Sequence, residues 1–132
     1  SFEGKAFDVS PCNMALNWLC ATMEPPIPYD PNGEIARSGN MDYDLYAALE
    51  ALPFYAKNGP KSLGVEWFNE AVLPLIANEA IPIADRLRTV VIHIVSRLTV
   101  AFRDLNAHNQ TLIISGGGAH NVFLMEELEK SI

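Results

Sequence analysis

Residues 111–129 read TLIISGGGAHNVFLMEELE, and the parsing of that stretch decides the fold. Thr111 to Ser115 is a continuous apolar run, the pattern of a strand covered on both faces. Gly116, Gly117 and Gly118 then turn the chain, because glycine reaches positive φ without a steric penalty. Ala119 to Glu129 has helical spacing. Strand, glycine turn and helix in succession belong to a layered α/β architecture. Just upstream, Pro82 to Asn106 predicts one long helix, with Pro82 suited to its first turn. Arg86, Thr89, His93, Arg97 and Asp104 fall on one side of the helical wheel. Leu87, Val91, Ile94 and Leu98, with their apolar neighbours, cover most of the rest, so protein should wrap this helix on most sides. The polar stripe, His93 included, reads as a surface or interdomain face.

Outward from there the elements are shorter. Lys5 to Val9 predicts a strand that turns at Ser10-Pro11. Cys12 to Thr22 predicts a helix burying Met14, Leu16, Trp18, Leu19 and Met23. Pro25, Pro26 and Pro28 stop it, since proline cannot donate to the helix ladder and restricts the residue before it. Tyr29 to Asn40 is rich in turn residues, with room for a helical turn or two at Glu34 to Arg37. Asp42 to Leu52 predicts a helix with Asp42 as N-cap and Leu45, Leu49 and Leu52 inward. Pro53 to Gly64 reads as a loop, and Val65 to Ala77 as a helix broken at Pro74. The fold class is therefore α/β, helix-rich with few strands.

Bulk properties narrow the function. The chain has 132 residues, 49% of them hydrophobic and 19% charged, which excludes intrinsic disorder. Sixteen acidic residues against nine basic ones give a formal charge of -7. Such a surface repels phosphate backbones and anionic lipids, so neither nucleic acid nor a membrane surface is an expected partner. No apolar run reaches the roughly 18–20 residues that span a bilayer. No basic region followed by an apolar core marks a signal peptide. Cys12 and Cys20 would lie roughly 12 Å apart on one helix, too far for a disulfide. Reduced thiols suit the cytoplasm. His93, His108 and His120 are scattered, and no metal site is expected. The sequence starts at Ser1 and stops inside a helix, so it reads as part of something longer.

Two places could carry chemistry. The turn Gly116-Gly117-Gly118-Ala119-His120-Asn121 lets a ligand approach the backbone, and the helix after it offers free N–H groups to phosphate or a nucleotide. A tight buried turn with no ligand fits the same residues. Asp8 closes a predicted strand just before a helix start, where open α/β sheets bind ligands. A carboxylate there can serve as general base or metal ligand, or simply cap the turn. Lys61 in Gly59-Pro60-Lys61-Ser62 could neutralise a phosphate or sit solvated in its loop. Cys12 has no base beside it and reads as a packing residue.

Four segments together resemble the anhydro-N-acetylmuramic acid kinases. Phe7-Asp8, Pro11 and Asn13 are similar to that family's Phe-Asp-Thr-Gly-Pro-Gly-Asn. Tyr29-Asp30, Gly33, Ala36 and Gly39 resemble its Tyr-Asp-x-x-Gly-x-x-Ala-x-x-Gly. Pro60-Lys61-Ser62, Gly64, Glu66 and Phe68 resemble its Pro-Lys-Ser-Thr-Gly-Arg-Glu-x-Phe. Gly116-Gly117-Gly118-Ala119 and Asn121 match its Gly-Gly-Gly-Ala-x-Asn turn. The order is right and the segments cover most of the chain.

The resemblance implies a sugar-kinase, actin and heat-shock ATPase fold, two ribonuclease-H-like lobes with this chain as a single-domain part of the C-terminal one. It implies a cytoplasmic enzyme that opens the 1,6-anhydro ring of the amino sugar with water and phosphorylates O6 from ATP with Mg²⁺, in cell-wall recycling. Asp8 would be the general base and Asn13 a sugar-site residue. Gly116, Gly117, Gly118, Ala119 and Asn121 would line the adenosine pocket. Lys61 and Ser62 match without a defined role. Val9-Ser10 stands where the family has Thr-Gly, Cys12 replaces a glycine and Val65 an arginine. The family's phosphate hairpin and its segment beyond the glycine turn have no counterpart here, so the chain alone is expected to be inactive and to dimerise through exposed sheet edges. The alternative is a non-catalytic nucleotide-binding or interaction module derived from that family.

Overall fold

The computed structural model describes residues 5–8, 10–52, 68–107, 112–115 and 122–131, with the backbone alone at 5–8, 10–13, 101–102, 104–107 and 112–115. In chain order these are β1 (Lys5–Asp8), α1 (Ser10–Ala21), a 3-10 turn (Pro31–Gly33), α2 (Glu34–Ser38) and α3 (Tyr43–Glu50). A π-helical turn (Phe68–Val72), α4 (Leu73–Ile76), α5 (Ile83–Ala107), β2 (Leu112–Ser115) and α6 (Val122–Ser131) follow. The described part is helix-rich, as the sequence predicts, with one two-stranded parallel ladder.

α5 is the axis. α1, α2, α3 and α6 all pack on it. Leu87, Val91, Ile94 and Leu98 are buried along it, with Val90 and Val95 beside them. Leu16, Leu19 and Cys20 of α1, Leu45 and Leu49 of α3, Ile76 of α4 and Phe123, Leu124 and Leu128 of α6 complete one core. Burying each large aliphatic side chain contributes about 1.5–3 kcal/mol, so this shared face dominates the stability. Met14 and Trp18 of α1 reach the core only partly buried.

The polar stripe of α5 does not face outward, which corrects the surface reading of His93. Thr89 is fully buried and His93 is 2% exposed. Arg86, Thr89, His93 and Arg97 each bond to a group outside the helix, as burial favours. The Thr89 hydroxyl donates to the Asp85 carbonyl (2.7 Å) and accepts from the Asp42 amide (2.8 Å). Arg86 Nε donates to the Ile81 carbonyl (2.9 Å) and Nη1 to the Ile76 carbonyl (3.0 Å), the latter just at the end of α4. Burial pulls the Arg86 pKa below its usual value, with Glu79 opposing. Arg86 and Thr89 are polar because they hold backbone of neighbouring segments, not because they are wet.

The Tyr29–Gly39 stretch folds on Asp30. Its two carboxylate oxygens accept from the Ile35 amide (2.9 Å) and the Ala36 amide (3.0 Å), which pairs two of the free N–H groups at the start of α2. Asn32 (φ 58°) and Gly33 (φ 71°) are left-handed, so the motif's glycine meets a backbone need. At Gly39 a Cβ would collide with the Ala84 carbonyl oxygen and lie 2.8 Å from the Asp85 amide nitrogen. The next amide, Asn40, donates to Asp85 Oδ1 (2.9 Å). α3 begins as the sequence predicts, with Asp42 Oδ1 accepting from the Leu45 amide (2.9 Å). Pro74 lies in the first turn of α4, where its missing N–H costs nothing, and the turn before it is π-helical. The expected loop at Pro53–Gly64 and the start of the helix expected from Val65 lie outside the described residues.

Candidate functional site

The ladder of β1 and β2 is parallel, with Lys5 opposite Leu112, Ala6 opposite Ile113, Phe7 opposite Ile114 and Asp8 opposite Ser115. Paired strands run about 4.8 Å apart, so Asp8 and Ser115 are neighbours at the carboxyl ends of both strands. Two chain segments leave that end together. One is α1, which begins at Ser10 with Pro11 next, so its free N–H groups start there. The other begins at Gly116. Residues about a hundred positions apart thus share the kind of sheet end at which α/β proteins bind ligands. Asn13 lies in the first turn of α1.

This donor set suits a phosphorylated ligand with a hard cation. It offers an acidic residue, a helix start and a hydroxyl residue, all oxygen or N–H chemistry. No group of three or more His, Cys, Asp and Glu residues that could hold a metal ion by themselves occurs among the described residues.

On the far side of the glycine turn, α6 is held by two arginines. The guanidinium carbons of Arg37 and Arg88 lie 5.1 and 5.2 Å from the centroid of the Phe123 ring. Arg37 Nη1 also pairs with Glu126 Oε1 at 2.7 Å, which raises the Arg37 pKa. Arg88 Nη1 donates to the Arg37 carbonyl (2.9 Å). Phe123 itself is buried.

A second polar cluster joins α3 to α5. His93 Nδ1 lies 2.7 Å from Glu50 Oε2, and Arg97 Nη2 donates to Glu50 Oε1 at 2.8 Å. Burial lowers the His93 pKa, while the bond and charge of Glu50 pull the other way. In the neutral ring Nδ1 carries the proton and donates to the carboxylate. Cys20 is a free thiol, pushed up to about 11 by burial and by Asp30, so it is inert as a nucleophile.

Of the residues singled out from sequence, Asp8 and Asn13 are placed, at the end of β1 and the start of α1. Gly116, Gly117, Gly118, Ala119 and Asn121 lie outside the described residues, as do Lys61, Ser62, His108 and His120. Their flanks, Ser115 and Val122, are described. Sequence reading missed Arg37, Arg88 and Glu50. Phe123 and Glu126, spaced for one helix face, were a signal for the first two. His93 and Arg97, one turn apart on a stripe, were the signal for an acidic partner.

Comparison with known proteins agrees with the family resemblance. The family model described as anhydro-N-acetylmuramic acid kinase matches residues 2–132. The chain is 33% identical over 125 residues to a protein of that name from a Sulfurovum species, covering 92% of this chain and 34% of the relative. It is 35% identical over 130 residues to the Pseudomonas fluorescens protein of that name, again 92% and 34%. With the Ralstonia nicotianae protein it shares 36% over 129 residues, 92% of this chain and 32% of the relative. The chain thus spans about a third of the length of the curated relatives it matches.

Proposed function

The chain belongs to the anhydro-N-acetylmuramic acid kinase family, and on that premise we propose that it forms part of an ATP-dependent kinase for 1,6-anhydro-N-acetylmuramic acid. The observation that supports this reading most is the register that sets Asp8 beside Ser115, immediately before Gly116. It sets the candidate base beside the residue that precedes the candidate nucleotide turn in sequence. ATP, bound with Mg²⁺, supplies the phosphoryl group.

Asp8 is the general base. It takes a proton from a water whose oxygen bonds to the anomeric carbon as the bond from that carbon to O6 breaks. O6 keeps the electron pair and attacks the γ-phosphorus, and ADP leaves. Asn13, one helical turn on, contributes to the sugar site. Gly116, Gly117, Gly118, Ala119 and Asn121 hold the adenosine side. The α1 start offers N–H groups to charge that develops nearby. With nine basic residues against sixteen acidic ones, N–H groups and a cation hold phosphate here in place of a basic patch. Ser10 stands where the family has glycine and opens α1 as an ordinary helical residue. The reading includes an actin-like ATPase fold, a place within one lobe, a cytoplasmic site of action and activity only in the whole protein. No helix among the described residues is long and apolar enough to cross a membrane.

The test is turnover of the anhydro sugar by the whole protein with ATP and Mg²⁺. Asp8→Asn should lower kcat by at least about 10²-fold, the usual weight of a positioned base, with ATP affinity retained. An Asp8→Asn protein of unchanged kcat would overturn the assignment. Nucleotide binding without any sugar phosphorylation by the wild type would point instead to a non-catalytic module.

A further inference from the structure

We propose that Arg37 and Arg88 are positioning residues for nucleotide binding, acting through the ring of Phe123. The inference rests on the reading of Gly116 to Asn121 as the adenosine turn. Phe123 is the second residue of α6, so the covalent chain makes the seat of α6 the exit point of that turn.

Simple burial would hold α6 against α5 with any apolar residue. A cation over an aromatic face adds direction, because the attraction needs the charge within about 6 Å of the centroid. Two such contacts, at 5.1 and 5.2 Å, come from different helices, α2 and α5. The Arg37–Glu126 bond adds a third fixed point one turn further along the same face. A shift of α6 by one residue turns its face by about 100° and breaks all three contacts.

The support beneath the arginines is itself fixed. Arg37 is in the last turn of α2, whose first amides are held by Asp30 and whose end presses Gly39 against Ala84. Arg88 is one turn past Ala84 on α5 and donates to the Arg37 carbonyl. A binding turn must be held to within about 0.5 Å by groups that are themselves held, and this linkage fixes the start of α6, the helix bonded to the turn. It also gives the Tyr29–Gly39 segment a task.

The experiment titrates a non-hydrolysable ATP analogue with Mg²⁺ into the whole protein by calorimetry, for wild type, Arg37→Ala, Arg37→Lys, Arg88→Ala and Phe123→Leu. Arg37→Ala and Arg88→Ala should each weaken nucleotide binding about two- to fivefold, the loss of one cation–π contact, with the KM for sugar unchanged. Arg37→Lys should recover only part of this, because an ammonium keeps the charge but not the planar fork. Phe123→Leu keeps both charges and should also weaken binding. Unchanged affinity in Phe123→Leu would mean that the arginines act by charge alone and would overturn the proposal. So would unchanged affinity in both alanine variants, which decide the matter even where Phe123→Leu does not fold. A wild type that binds no nucleotide overturns the functional reading itself, and that outcome is read before any variant is made.

Discussion

His93 shows at the scale of one residue how burial sets a property that composition hides. Its ring is almost fully covered and bonded to Glu50, with Arg97 on the same carboxylate. Burial holds its pKa below the ordinary histidine value. In the unfolded chain the ring takes up a proton near pH 6.5. Between that pH and the lowered folded value the unfolded state therefore binds more protons, and stability falls as pH drops through the window. Thermal denaturation from pH 7.5 down to 5 should show that slope, and His93→Gln should flatten it. A wild type whose melting temperature rises on acidification would contradict the direction. The sequence shows a stripe with a histidine on it, but not Glu50, because no local pattern links the end of one helix to the middle of another about forty residues on. Asp30 shows the same limit. It was visible within a family motif, while its two backbone bonds depend on the left-handed pair Asn32 and Gly33.

At the scale of elements, periodicity served well where packing follows it. α5 was expected at Pro82 to Asn106 and runs Ile83–Ala107. Asp42 caps α3 as its residue type predicts. Periodicity misled where polarity was taken for exposure, since Arg86 and Thr89 of the α5 stripe bind backbone after α4 and at the start of α3. The parallel register of β1 and β2 had no local signal, because strand partners are chosen by the whole fold. α2 meets α5 backbone to backbone at Gly39, and that contact can be tested. Gly39→Ala drives a methyl into the Ala84 carbonyl, and the helices must part. Overpacking of this kind costs about 1–3 kcal/mol, which urea denaturation would read as a lower midpoint with an unchanged slope. An unaltered midpoint would mean that the junction is looser than the contact implies.

For the whole molecule, a helical core carries a ladder of only two strands among the described residues. Two strands are marginal on their own, and parallel strands are normally covered on both faces. The 132-residue chain in isolation should therefore pair with a second copy. Light scattering should give about twice the 14.5 kDa chain mass, and a monomer at high concentration would refute the pairing. The candidate site was half legible at this scale. Motif order pointed to Asp8 and to the glycine turn as separate features, and only the register set Asp8 beside Ser115, the residue before that turn. That register has a consequence in time. The two strands that meet at the site are separated by about a hundred residues, so their pairing carries a large loop-closure cost and should form late in folding. On a ribosome adding roughly 5–20 residues per second, β1 emerges on the order of ten seconds before β2 exists. Through that interval the helices that follow β1 can begin to gather, and Asp8 acquires its neighbour only when β2 arrives.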